Sequence, residues 1–151
     1  MHIITNMMIL DGMENAIKAG KLQAVEAPDP VSDACLYRDG NGCRCAIGAS
    51  LPEAALDELE ASDQNSSGIA LVEWGDLSIE FENWWFAVRI QDVHDHRGYP
   101  ASWTSGSYAH VDAAEQFGEK AMSLLEKGKT LTAIDWIRFI AAVREHLETP
   151  V

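Results

Sequence analysis

The chain has 151 residues, 47% of them hydrophobic, and five Trp, which suffices for one domain (residues 1–151) that buries about two-thirds of its unfolded surface. Its 24 Asp and Glu against 11 Lys and Arg leave a formal charge of −13. That balance argues against direct binding of nucleic acid or anionic membrane, since both need clustered cations. No apolar run approaches the ~20 residues that span a bilayer.

The apolar start, Met1 to Leu10, lacks a basic flank and a small-residue cleavage site, so no signal peptide is read. Three cysteines without such a signal imply reduced thiols in a cytoplasm.

In chain order, Asn6 is read as the N-cap of a helix over Met7–Ala19, with Met7, Met8, Leu10, Met13 and Ile17 at helical spacing and Gly20 as its stop. Ala27-Pro28-Asp29-Pro30 is a turn or linker. Two short β-compatible runs, Ala34–Arg38 and Cys43–Ile47, flank Asp39-Gly40-Asn41-Gly42 and predict a hairpin. With a two- or four-residue loop, Leu36 falls opposite Cys45; a three-residue loop or bulge brings Cys35 there instead.

Pro52 opens a helix running to Ala61, with Glu53 complementing its N-terminus. Ser62–Gly68 reads as a polar loop, and Ile69–Trp74 fits either a short helix or a strand. Phe81, Trp85 and Val88, with Phe86, Ile90 and Val93 beside them, predict a helix over Ser78–His94. An exposed connection over Ser102–Ser107 follows. A helix over Val111–Glu126 carries Ala114, Phe117, Ala121 and Leu124 on one face. A last helix begins near Thr132, which forms a capping-box pattern with Asp135. The expected fold is α+β: one mostly helical domain of about five helices with an early β-hairpin.

Cys35-x-Tyr37-Arg38, then Cys45-Ala46-Ile47-Gly48 with Pro52 beyond, resembles an uncharacterised family of small phage, prophage and plasmid proteins. That family pairs such a hairpin with a later helix ending in His-Asp, an element Gln91, His94 and Asp95 would supply here. The resemblance covers these two patches and implies a mobile-element origin. It brings no activity with it.

Several constellations carry chemistry in principle. Cys43 and Cys45 share one face of a strand, but the C-x₂₋₄-C knuckle spacing of a zinc site is absent, so small buried hydrophobes are the reading. Asp92-Val93-His94-Asp95-His96 crowds imidazoles and carboxylates, and Asp92 and His96 lie one helical turn apart, within range of His110. An ordinary helix C-terminus explains them as well. Ser105 and Ser107 lack the G-x-S-x-G frame of a nucleophile elbow. No cofactor, metal or catalytic residue is assigned.

Positions 45–88 hold no Lys, Arg or His, yet carry Glu53, Asp57, Glu58, Glu60, Asp63, Glu73, Asp76, Glu80 and Glu82. So long an acidic block is a candidate surface for a basic protein groove. Within Trp84-Trp85-Phe86, successive side chains diverge by about 100°, so the three cannot all face one core: either one lies on a partner surface or the helix is buried on several sides. Trp74, Trp84 or Trp85 is the expected anchor.

The resulting expectation is an acidic, cytoplasmic interaction module of phage type. It would inhibit a basic, nucleic-acid-binding host defence protein, in the manner of an anti-CRISPR or anti-restriction protein. The alternative is a small metal-binding protein or enzyme centred on His94, Asp95 and His96.

Overall fold

The computed structural model describes residues 2–23, 25–26, 37–61, 79–99, 102–125 and 129–149. The turn at 27–30, Cys35 and Leu36, the loop at 62–68 and the segment Ile69–Trp74 lie outside them. Along the described chain run β1 (His2–Ile4), α1 (Asn6–Lys18), a 3₁₀ turn (Gly48–Ser50), α2 (Glu53–Ala61) and β2 (Ile79–Phe81). Then come α3 (Trp84–Asp95), α4 (Tyr108–Phe117), α5 (Glu119–Ser123) and α6 (Ala133–Glu148). The fold is α+β and mostly helical.

Helices α1, α3, α4 and α6 start where a side chain satisfies one of their first amide groups. Thr5 rather than Asn6 caps α1, its hydroxyl accepting from Met8 N–H at 3.1 Å. Asn83 caps α3 through Phe86 N–H, Ser107 caps α4 through His110 N–H, and Thr132 forms the expected box with Asp135. Asn83 therefore moves the start of α3 past the predicted Ser78. The freed residues Ile79–Phe81 pair in parallel with His2–Ile4, Ile3 standing level with Glu80.

The helix expected over Val111–Glu126 is two helices. Gly118, at φ 94°, adopts a backbone that side-chain-bearing residues resist, and the chain turns there from α4 to α5. The connection at 102–107 is exposed except for Ser107, which is half-buried, and Trp103, which tucks into the core.

Among the described residues, the expected hairpin shows one antiparallel bridge, Arg38 with Arg44. Asp39 organises its loop: the carboxylate accepts from Asn41 and Cys43 N–H, both at 2.9 Å, and Asp39 N–H donates to Cys43 O at 2.8 Å. This register places Tyr37 level with Cys45.

The core collects Ile9, Leu10 and Met13 of α1, Phe86, Ile90 and Val93 of α3, and Trp136, Phe139, Ile140 and Val143 of α6. Edge-to-face contacts run Phe86–Phe117–Phe139–Trp136, with centroids 5.2, 5.7 and 6.0 Å apart. Each such pair contributes about 0.5–1.5 kcal/mol beyond burial. α1 also lies tightly on the 3₁₀ turn, because Gly12 carries no Cβ; one placed there would meet Ala49 O at 2.6 Å.

Candidate functional site

The structure places three constellations, two of them singled out by the sequence, beginning with the acidic block. Glu53, Asp57 and Glu60 recur at i, i+4 and i+7 of α2 and so share one face. The Arg38–Arg44 bridge sets two guanidinium groups side by side against it. Arg38 Nη1 donates to Glu53 at 2.5 Å, Nη2 to Asp57 at 2.7 Å and Nε to Glu60 at 2.8 Å. Arg44 pairs with Glu53 as well.

Two like charges opposite each other in a bridge would repel. Three carboxylates stabilise them and fasten the hairpin to α2. The hydrogen bond from Arg38 holds the Glu60 carboxyl below the usual carboxylate range. This part of the block is thus largely an ion-pair seam.

The remaining acids lie elsewhere. Glu58 is exposed on α2, and Glu80 is exposed on β2. Glu82 accepts from Asn6 N–H at 2.8 Å, at the positive end of α1. Asp63, Glu73, Asp76 and Trp74 fall outside the described residues. Of the neighbouring tryptophans, Trp84 is half-buried and edge-on to Phe81, with centroids 6.2 Å apart. Trp85 is the exposed one, at 57%.

The second constellation is the His/Asp end of α3. His94 has no solvent exposure. Its Nε2–H donates to Gln23 O at 2.7 Å, and its Nδ1 lies 3.3 Å from Asp95 Oδ1. With Nε2 committed as a donor, that second contact is attractive only if a proton sits on Nδ1 or on the carboxyl.

Gln91 completes the cluster. Its amide donates to Asp95 at 2.6 Å, while its oxygen accepts from Ile47 N–H at 3.0 Å. Cys45, fully buried, accepts from Gly48 N–H at 3.3 Å. Tyr37 is enclosed there too; burial raises its phenol above its ordinary value, and Cys45 and Asp95 add to the rise. The Cys-Ala-Ile-Gly string and the Gln-x-x-His-Asp string are therefore two halves of one buried polar cluster.

His96 points elsewhere, its Nδ1–H donating to Asp92 O at 2.8 Å. The Asp92 carboxylate faces Arg89, and burial raises its pKa although Arg89 and His96 oppose the rise. His110 Nδ1 lies 2.9 Å from the Tyr99 hydroxyl. His94, His96 and His110 thus serve separate contacts. Among the described residues, no three His, Cys, Asp or Glu converge as metal ligands.

No family model, curated protein or solved structure matches the chain. No helix among the described residues is long and apolar enough to cross a membrane.

The third constellation was not read from the sequence. Arg89 lies 5.8 Å from the ring centroids of both Trp85 and Trp103. It also pairs with Asp112 of α4 at 2.6 Å and with Asp92 at 3.3 Å. The one visible signal was the Trp85/Arg89 spacing of a single helical turn. Ser107, weighed as a nucleophile, is instead the α4 cap.

Proposed function

We propose that the chain is a non-enzymatic interaction protein of phage or mobile-element type. It presents a negative surface to a basic, nucleic-acid-handling host protein in the cytoplasm and excludes the nucleic acid, as an anti-CRISPR or anti-restriction inhibitor does.

The observation that carries this reading is how the cations are used. Among the described residues, Lys18, Arg38, Arg44, Arg89, Lys120, Lys129 and Arg144 are ion-paired within the chain, seven of the 11 Lys and Arg in the sequence. Most of these pairs tie one element to another, and the sequence as a whole keeps an excess of −13. Such a field raises the association rate with a basic groove and repels nucleic acid.

The enclosed geometry at His94 favours this reading over the enzyme or metal-binding alternative. A general acid or base must come within hydrogen-bond reach of its substrate. Here the ring nitrogens are turned to Gln23 O and Asp95 in the interior.

The test is capture from host lysate on the immobilised chain, followed by elution with double-stranded DNA or heparin. The expected result is a basic protein displaced in proportion to added polyanion. Retention no better than on an unrelated protein of equal negative charge would contradict the proposal.

A further inference from the structure

The α3/α4 surface carries a second feature that the acidic block does not explain. Trp85, Arg89 and Asp92 form an outward stripe on α3 at helical spacing, while Phe86, Ala87, Ile90 and Val93 face the core. On α4, Tyr108, Val111, Asp112 and Glu115 form the matching stripe, and Ala113, Ala114 and Phe117 face inward. The Arg89–Asp112 pair ties the two stripes into one face.

Three apolar side chains stand open on it: Trp85 at 57%, Tyr108 at 85% and Val111 at 55% exposure. Tryptophan, tyrosine and arginine are the residues that most often dominate binding energy at protein interfaces.

We propose that this face docks a basic protein segment in which apolar side chains alternate with arginine. Charge decides among possible occupants. Arg89 is balanced by two carboxylates, Asp92 and Asp112, so the centre of the face carries no net positive charge. Glu115 of the α4 stripe adds an exposed carboxylate. A second copy of this chain would set two molecules of charge −13 against each other, and nucleic acid would meet the same repulsion.

An arginine-bearing partner is attracted by the carboxylates, which outnumber Arg89 on this face. The indole of Trp85 already takes one guanidinium, Arg89, beside it. Its exposed surface offers a partner arginine the same cation–π stacking, with Asp92, Asp112 and Glu115 nearby for its charge. Apolar side chains of the segment cover Val111 and Tyr108.

The proposal rests on the reading of the chain as a binder of basic proteins, and it locates the anchor. The test uses the full chain labelled at its indole nitrogens, titrated with two peptides of equal positive charge. One alternates Arg with Leu; the other alternates Lys with Ala. The Trp85 signal is identified by its loss in Trp85→Phe.

The expected result is that the Arg/Leu peptide binds more tightly and moves the Trp85 signal saturably. Trp85→Ser and Tyr108→Ser should each weaken its binding about tenfold, with unchanged thermal melting because both side chains are exposed. If both peptides bind alike and neither variant changes affinity, the docking face is refuted while the acidic reading stands. If neither peptide binds at all, both are refuted.

Discussion

Gln91 accepts a hydrogen bond from Ile47 N–H at 3.0 Å and donates one to Asp95 at 2.6 Å, so one buried amide holds the chain after the hairpin against the end of α3. The sequence holds these residues far apart, and the fold places them in one enclosed cluster with His94, Cys45 and Tyr37. Gln91 and His94 bond across it to Ile47, Asp95 and Gln23, which suits a lock on the core.

Replacing Gln91 by Leu keeps the volume but strands the Ile47 amide and removes the 2.6 Å bond to Asp95. A buried polar group left unpaired costs about 1–3 kcal/mol. Urea denaturation should therefore show a loss of about 2–4 kcal/mol with an unchanged slope. A loss under about 0.5 kcal/mol would mean that water reaches the cluster.

His94→Ala should be costlier than a helix-end histidine suggests. It removes a buried ring beside Trp136, 6.0 Å away, and leaves Gln23 O without its donor. The expected loss is about 2–4 kcal/mol. Binding by the fraction that remains folded should be unaffected. Loss of binding at full folding would revive the reading centred on His94 chemistry.

Asp57→Asn with Glu60→Gln separates the seam from the surface. Both acids read in sequence as open charge, yet both hold Arg38. Glu60 is held below the usual carboxylate range by Arg38, so its contribution is present above the unfolded carboxyl pKa and is lost as pH falls through the lower folded value. The parent should therefore lose this part of its stability on acidification below about pH 4, where the double variant shows no corresponding loss. Parallel acid-unfolding curves would show the seam to be energetically silent.

Much of this organisation was legible. Thr132 and Asp135 announced α6 because a capping box is a local pattern that tertiary contacts rarely override. β1 and β2 were not legible. Three-residue strands leave no alternation to read, and Phe81 continues the helical spacing of Trp85 and Val88. Gly118 divides α4 from α5 by a backbone angle, which the surrounding apolar period conceals. The acidic block was visible as composition. Its partial neutralisation was not, since Arg38 and Arg44 lie before the block and reach α2 only through the turn that sets them side by side.

Gly118→Ala tests that division. The residue sits at φ 94°, and a Cβ would meet the His146 ring at 3.0 Å. Strain at a positive φ plus the contact should lower stability by about 1–3 kcal/mol. His146→Ala in the same chain should recover only the steric part. Full recovery would show that the backbone angle itself costs nothing.

The most direct measurement of the central claim is the association rate of the chain with its captured host protein across a salt series. Exposed charges are screened beyond a Debye length of ~8 Å at physiological ionic strength, so steering should fade as salt rises. The rate should fall about tenfold or more from low to high salt. Glu80→Lys with Glu115→Lys, both exposed, should slow it further at low salt while leaving the melting temperature within a few degrees. A rate that stays constant across the series, in parent and variant alike, would contradict the account.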